Sequence, residues 1–125
     1  MLHDCNSPFS EIYYILDILP DHTEVKVNFN FHFIDDWSNQ QAYLKVDDEV
    51  KWTEAYHWCS GPFQNNCMKQ GVDTCGNSYP DKIGSLVSYT GLHYSKSLNF
   101  TVGTNIAFQE CGPKWGIDNI EILVR

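Results

Sequence analysis

Nine consecutive residues, Val25-Lys26-Val27-Asn28-Phe29-Asn30-Phe31-His32-Phe33, constrain the fold of this chain more than any other stretch. Apolar and polar side chains alternate there without a break, the period of a strand that buries one face and wets the other. A helix would scatter the same apolar side chains around its circumference. At roughly 3.3 Å per residue the segment spans about 30 Å, long for a strand. A one-sided strand of that length needs neighbours to pair with and a second layer over its apolar face. The rest of the chain must supply both.

It has the material. Ala42-Tyr43-Leu44-Lys45-Val46 and Val50-Lys51-Trp52 flank Asp47-Asp48-Glu49, the pattern of a β-hairpin with an acidic turn. Ile83 to Tyr89 predicts a strand followed by a turn near Gly91. Ser97 to Val102 alternates with Leu98, Phe100 and Val102 inward, and Gly116 to Val124 is a β-rich closing segment. Glu11 to Leu19 alone has the length and spacing for a helix, but its Ile and Tyr content and the following Pro20 suit an extended segment equally well. Six to eight short strands separated by Gly, Pro and Asn turns predict an all-β fold, an antiparallel β-sandwich. With 125 residues and no repeat or linker, positions 1–125 form one domain.

The charge balance narrows the partners. Sixteen Asp and Glu against eight Lys and Arg leave a net charge of -8, which disfavours nucleic acid and anionic membrane surfaces. No apolar run is long enough for a membrane helix, so direct insertion is not expected, and no basic leader with a cleavage site opens the sequence. Divalent cations, neutral sugars and other proteins remain.

Five cysteines set the compartment: Cys5, Cys59, Cys67, Cys75 and Cys111. None forms a Cys-x-x-Cys pair, so zinc ribbons and thioredoxin-like sites have no support. Three lie in the Gly-, Pro- and Asn-rich loop 59–76, where little apolar material would hold the chain and a disulfide would restrain it by about 2–4 kcal/mol. This usage predicts an extracellular or cell-surface protein with two disulfides of unknown pairing. The fifth cysteine stays free or joins a second chain. Five reduced thiols in a cytosolic protein are the plainer alternative. The sequon Asn99-Phe100-Thr101, with Asn99 on the outward face of its strand, adds a candidate glycosylation site.

Two segments carry a family resemblance. Phe29-Asn30-Phe31-His32-Phe33-Ile34-Asp35-Asp36-Trp37 runs into the 42–52 hairpin, and Lys114-Trp115-Gly116-Ile117-Asp118-Asn119-Ile120 closes the chain. Together they resemble a galactose-binding-like β-jelly-roll module repeated in large surface proteins of ciliates and other protists. The closing motif is similar to the last strand of MAM and reelin-type domains. The resemblance implies a jelly roll and an extracellular setting, but no single activity, since such modules serve adhesion, carbohydrate recognition and filament assembly. This chain departs from the pattern at Ser38, where Asp is frequent, and at Asp48, where Gly is common.

Asp35, Asp36, Asp118 and Asn119 are the candidate metal ligands. If their strands are neighbours, carboxylates, the Asn119 carbonyl and backbone oxygens would converge at one rim, a hard oxygen set suited to a structural calcium ion. The plainer alternative is carboxylates that accept backbone N–H bonds or lie in solvent. Tyr56, His57 and Trp58, at the edge of the cysteine loop, are the candidate ligand-binding residues, because an aromatic ring can cover the apolar face of a sugar. Trp58 could equally pack over a disulfide, and Trp37, Trp52 and Trp115 read as core or rim.

Catalysis finds no support. No nucleophile elbow, His-Glu-x-x-His, phosphate loop or dinucleotide fingerprint is present. Asp36 with Glu54 or Glu110 could be named a glycosidase pair, but carboxylates are too numerous for that to be specific. His57 lies two residues from Cys59, yet a disulfide is the better use of that thiol. The sequence therefore predicts a non-catalytic extracellular module that binds carbohydrate or a protein partner. The alternative is a structural block of a surface filament.

Overall fold

The computed structural model of the chain describes residues 11–59, 81–107 and 111–125. They form seven strands and no helix: β1 (Glu11–Leu16), β2 (Glu24–Ile34), β3 (Ser38–Val46), β4 (Glu49–His57), β5 (Lys82–Leu92), β6 (Leu98–Thr104) and β7 (Lys114–Val124). A four-stranded sheet in the order β1-β6-β3-β4 faces a three-stranded sheet in the order β5-β2-β7. All described pairings are antiparallel. The expected β-sandwich is the fold.

The alternating segment becomes β2, central in its sheet. Val25, Val27, Phe29, Phe31 and Phe33 on its inner face are each at most 1% exposed. Ala42, Leu44 and Val46 from β3 and Leu98, Phe100 and Val102 from β6 meet them across the sandwich. Each such side chain withdrawn from water contributes about 1.5–3 kcal/mol before the entropy of ordering the chain is counted. The aromatics concentrate at one end. Phe31 lies parallel to Trp115 at 5.4 Å, and Trp37 packs edge-on against Phe31 and Phe33 at 6.2 and 4.9 Å.

The structure decides one open alternative and departs from the sequence pattern in two details. Glu11 to Leu16 is a strand, because β6 supplies a ladder partner that no isolated helix could offset. Gly91 lies inside β5 opposite Val25, not in a turn. The Tyr89 ring crosses it so closely that a side-chain carbon at Gly91 would meet the phenol oxygen at 2.0 Å. In β7, alternation is broken by a bulge: Asn30 faces Asp118 and Asn28 faces Glu121, so β7 spends one residue more than β2. Asn119 takes that extra place with φ 53°, a conformation asparagine tolerates. The bulge reverses the phase, so that Trp115 and Ile117 before it and Ile122 and Val124 after it all face the core.

The β3–β4 hairpin closes on Asp47 and Asp48, with φ 51° and 66°. Positive φ at both central residues of a two-residue loop is the type I′ geometry that matches strand twist. Aspartate adopts it less readily than Asn-Gly. Asp47 recovers part of the difference through β6: its N–H donates to the Asn99 carbonyl, and its Oδ1 accepts the Asn99 N–H, each at 2.9 Å.

Candidate functional site

The four candidate metal ligands do not meet. Asp35 follows β2 at the aromatic end, with φ 66° and no solvent exposure. Its Oδ2 accepts a hydrogen bond from the Lys114 ammonium at 2.9 Å. The same ammonium reaches the Gly112 carbonyl at 3.1 Å and the Cys111 carbonyl at 3.5 Å. Lys114 therefore occupies the centre of this oxygen cluster as its cation. The Asp35 N–H donates to buried Asp81 at 2.9 Å, and the Trp37 indole N–H donates to the Lys114 carbonyl at 2.8 Å, fastening β2, β5 and β7 at this rim. Asp36 presses its carboxylate against Gly112, where a side-chain carbon would lie 2.0 Å from Oδ1, so any larger residue would have to displace that carboxylate.

Asp118 lies elsewhere, on the outer face of the three-stranded sheet opposite Asn30. Asn30 and Asp35 are five positions apart along the chain, about 16 Å at strand rise. The Asp118 carboxylate meets His32 Nε2 at 3.1 Å, while His32 Nδ1 accepts the Gly84 N–H at 2.9 Å. A nitrogen that accepts cannot carry the proton, so His32 is the neutral Nε2–H tautomer and bridges β5 to β7. Asn119 is the bulge residue. Among the described residues, no group of three or more His, Cys, Asp or Glu side chains is arranged to hold a metal ion.

Tyr56, His57 and Trp58 close β4 in different environments. Tyr56 turns inward onto Phe33, 5.0 Å between ring centres, and burial together with the Asp81 charge raises its phenol above the usual range. His57 is half-buried, and its Nδ1 accepts the Cys59 N–H at 3.0 Å. Trp58 is half-buried and donates its backbone N–H to the Trp37 carbonyl at 2.9 Å. Cys59 and Cys111 are each disulfide-bonded. Cys5, Cys67 and Cys75, with the rest of the cysteine loop and Glu110, lie outside the described residues.

A surface the sequence reading did not single out lies on the outer face of the four-stranded sheet. Glu11, Tyr13 and Ile15 of the edge strand β1 stand beside Thr101 and Asn99 of β6 and Asp48 of the hairpin, around an open hollow of about 250 Å³. Tyr13 is 67% exposed and Ile15 55%. Next to them, Tyr43 donates its phenol hydrogen to Glu11 at 2.5 Å. Burial, then the bond and charge of Glu11, hold that phenol well above the usual tyrosine range. Asn99 lines this hollow, on the outward face expected of it. The signal was present in the period of β1, whose residues 11, 13 and 15 share one face once the segment is a strand. A larger hollow of about 530 Å³, lined by Glu24, Lys26, Thr90, Leu123, Val124 and Arg125, offers no aromatic ring.

Comparison with known proteins adds no relative: no family model, curated protein or solved structure matches this chain.

Proposed function

We propose that this chain is a non-catalytic extracellular binding module that takes carbohydrate on the outer face of its four-stranded sheet. The observation that carries the reading is the β1–β6 hollow, where exposed Tyr13 stands among Glu11, Asn99 and Thr101. An exposed ring bordered by hydrogen-bonding groups suits a sugar, whose ring faces are apolar and whose rim is hydroxylated. At about 250 Å³ the hollow suits a single ring-sized ligand better than a long chain. Disulfide use of Cys59 and Cys111 supports the extracellular setting. The jelly-roll connectivity belongs to the same proposal, supported by strands that cross repeatedly between the two sheets. The Lys114 ammonium beside Asp35 weighs against a structural calcium ion at that rim.

Glycan-array binding tests the reading. Tyr13→Ala should abolish retention while Trp58→Ala leaves it; loss in Trp58→Ala alone would move the site to the cysteine-loop end. Absence of any retained glycan with the wild-type protein would overturn it. Asn99 is both sequon and groove wall, so a glycan attached there would fill the hollow. The intact mass of the secreted protein must therefore show Asn99 unmodified. Assembly is the second reading, favoured by β1, an edge strand among the described residues, where Tyr13, Tyr14 and Ile15 are all more than half exposed. Concentration-dependent sedimentation together with a blank array would select it.

A further inference from the structure

At the end of the sandwich opposite Asp35, two buried histidines touch. His22, from the segment between β1 and β2, and His93, just after β5, are 8% and 6% exposed. His22 Nε2 lies 2.6 Å from His93 Nδ1. The rings are parallel within 12° and their centres are 4.9 Å apart. That separation is the nitrogen–nitrogen distance plus one ring radius on each side, so the imidazoles lie end to end rather than face to face. The outer nitrogens also have neighbours. His22 Nδ1 is 2.6 Å from the Pro20 carbonyl oxygen, and His93 Nε2 is 2.9 Å from Asp47 Oδ2. The Asp47 oxygen sits off the ideal N–H direction, which makes that contact ionic more than a linear hydrogen bond.

Proton counting together with the Asp47 charge selects one arrangement. A carbonyl oxygen can only accept, so His22 Nδ1 carries a hydrogen, and the carboxylate 2.9 Å from His93 Nε2 favours a charged ring there without a linear hydrogen bond. The junction between the rings needs one hydrogen and has room for no more. Three hydrogens serve both hydrogen bonds and the ionic contact with Asp47, and two neutral imidazoles carry two. One neutral arrangement leaves a bare lone pair facing the Pro20 carbonyl, and the other leaves an uncharged ring beside the Asp47 carboxylate. Two imidazolium rings would set two N–H groups head to head at 2.6 Å. We propose that His22 and His93 share one extra proton as an imidazole–imidazolium pair neutralised by Asp47, and that this pair is a pH-gated clamp on the sandwich end.

What the clamp joins follows from the backbone. Asp47 exchanges two hydrogen bonds with Asn99 of β6, the His93 N–H donates to the Thr23 carbonyl, and the Leu19 N–H donates to the Lys96 carbonyl. The pair thus connects the hairpin of one sheet to the start of β2 and the end of β5 in the other. Asp47 is the formal charge seated on the pair. Asp17, Asp21, Asp48, Glu49 and Lys96 on the adjoining segments are exposed, Glu24 is half-buried, and no bond joins them to either ring among the described residues. The Asp47 side chain is 45% exposed, which opens one end of the chain of contacts to water. The inference is independent of carbohydrate binding.

Imidazole nitrogen NMR of the labelled wild-type protein tests it without a variant. At neutral pH, His22 Nδ1 and His93 Nε2 should both read as protonated, with one exchange-protected, far-downfield proton between the rings. An unprotonated signal at either outer nitrogen would overturn the proposal. Asp47→Asn removes the neutralising charge, so the downfield proton should disappear at lower pH than in wild type. An unchanged midpoint would also overturn it. The downfield proton should vanish on the acid side as well as the alkaline side, and persistence into acid would contradict the head-to-head clash.

Discussion

The two ends of the sandwich solve one electrostatic problem with different cations. At the aromatic end, buried Asp35 is neutralised by the Lys114 ammonium. At the hairpin end, Asp47 is neutralised by a proton that the His22–His93 pair must acquire. The eleven residues of β2 connect them, about 36 Å of one strand. An ammonium is charged throughout the neutral range, whereas imidazole changes charge within it. One end is therefore fastened permanently and the other conditionally. The contrast shows how a small β-sandwich can keep its core fixed while letting one set of loops respond to acidity.

The aromatic end should be the more fragile to mutation. Lys114→Met leaves the Asp35 carboxylate buried without its cation, and urea unfolding should show a loss of about 3–5 kcal/mol. Combining it with Asp35→Asn should restore part of that loss, since the stranded charge is the cost. A Lys114→Met protein as stable as wild type would mean that the pair contributes nothing.

Between β1 and the histidine pair, Ile18 has φ 57° and is 89% exposed. A β-branched residue there is held in a strained conformation with no burial to offset it. Ile18→Asn should raise the thermal midpoint by a few degrees, corresponding to about 1 kcal/mol. A lower midpoint would indicate that Ile18 covers apolar surface.

The smallest expected effect is alkaline. Tyr43 and Tyr56 are raised in the fold, by burial first and by Glu11 and Asp81 second. The unfolded chain therefore ionises first, and their contribution is complete below the unfolded value of about 10 and declines as pH rises beyond it. Spectrophotometric titration should show Tyr43 and Tyr56 ionising above the ordinary tyrosine range, and Tyr43→Phe should flatten the alkaline loss of stability.

Legibility follows sequence separation. The inward sets of β2 and β6 are readable because alternation is a local property, and Leu98, Phe100 and Val102 lie where the pattern puts them. The phase change in β7 is not, because strict alternation through Asp118 and Asn119 would turn Glu121 inward; only the register against β2 reveals the bulge. Gly91 reads as a turn until the Tyr89 ring is seen over it. The acidic residues were visible, but their cation was not, since Asp35 and Lys114 are 79 positions apart. His22 and His93, 71 positions apart, carry no local signature at all. Composition registers such residues as scattered histidines, and only the loop junction makes them one group.

Amide hydrogen exchange compared between neutral and mildly acidic solution tests the central contrast most directly. After correction for intrinsic exchange, protection at Asp47 and Asn99 should fall on acidification as the pair takes a second proton. The amides of Asp35 and Trp37, bonded to Asp81 and the Asp35 carbonyl, should keep theirs. Equal loss at both ends, or protection at Asp47 and Asn99 that ignores pH, would contradict the account.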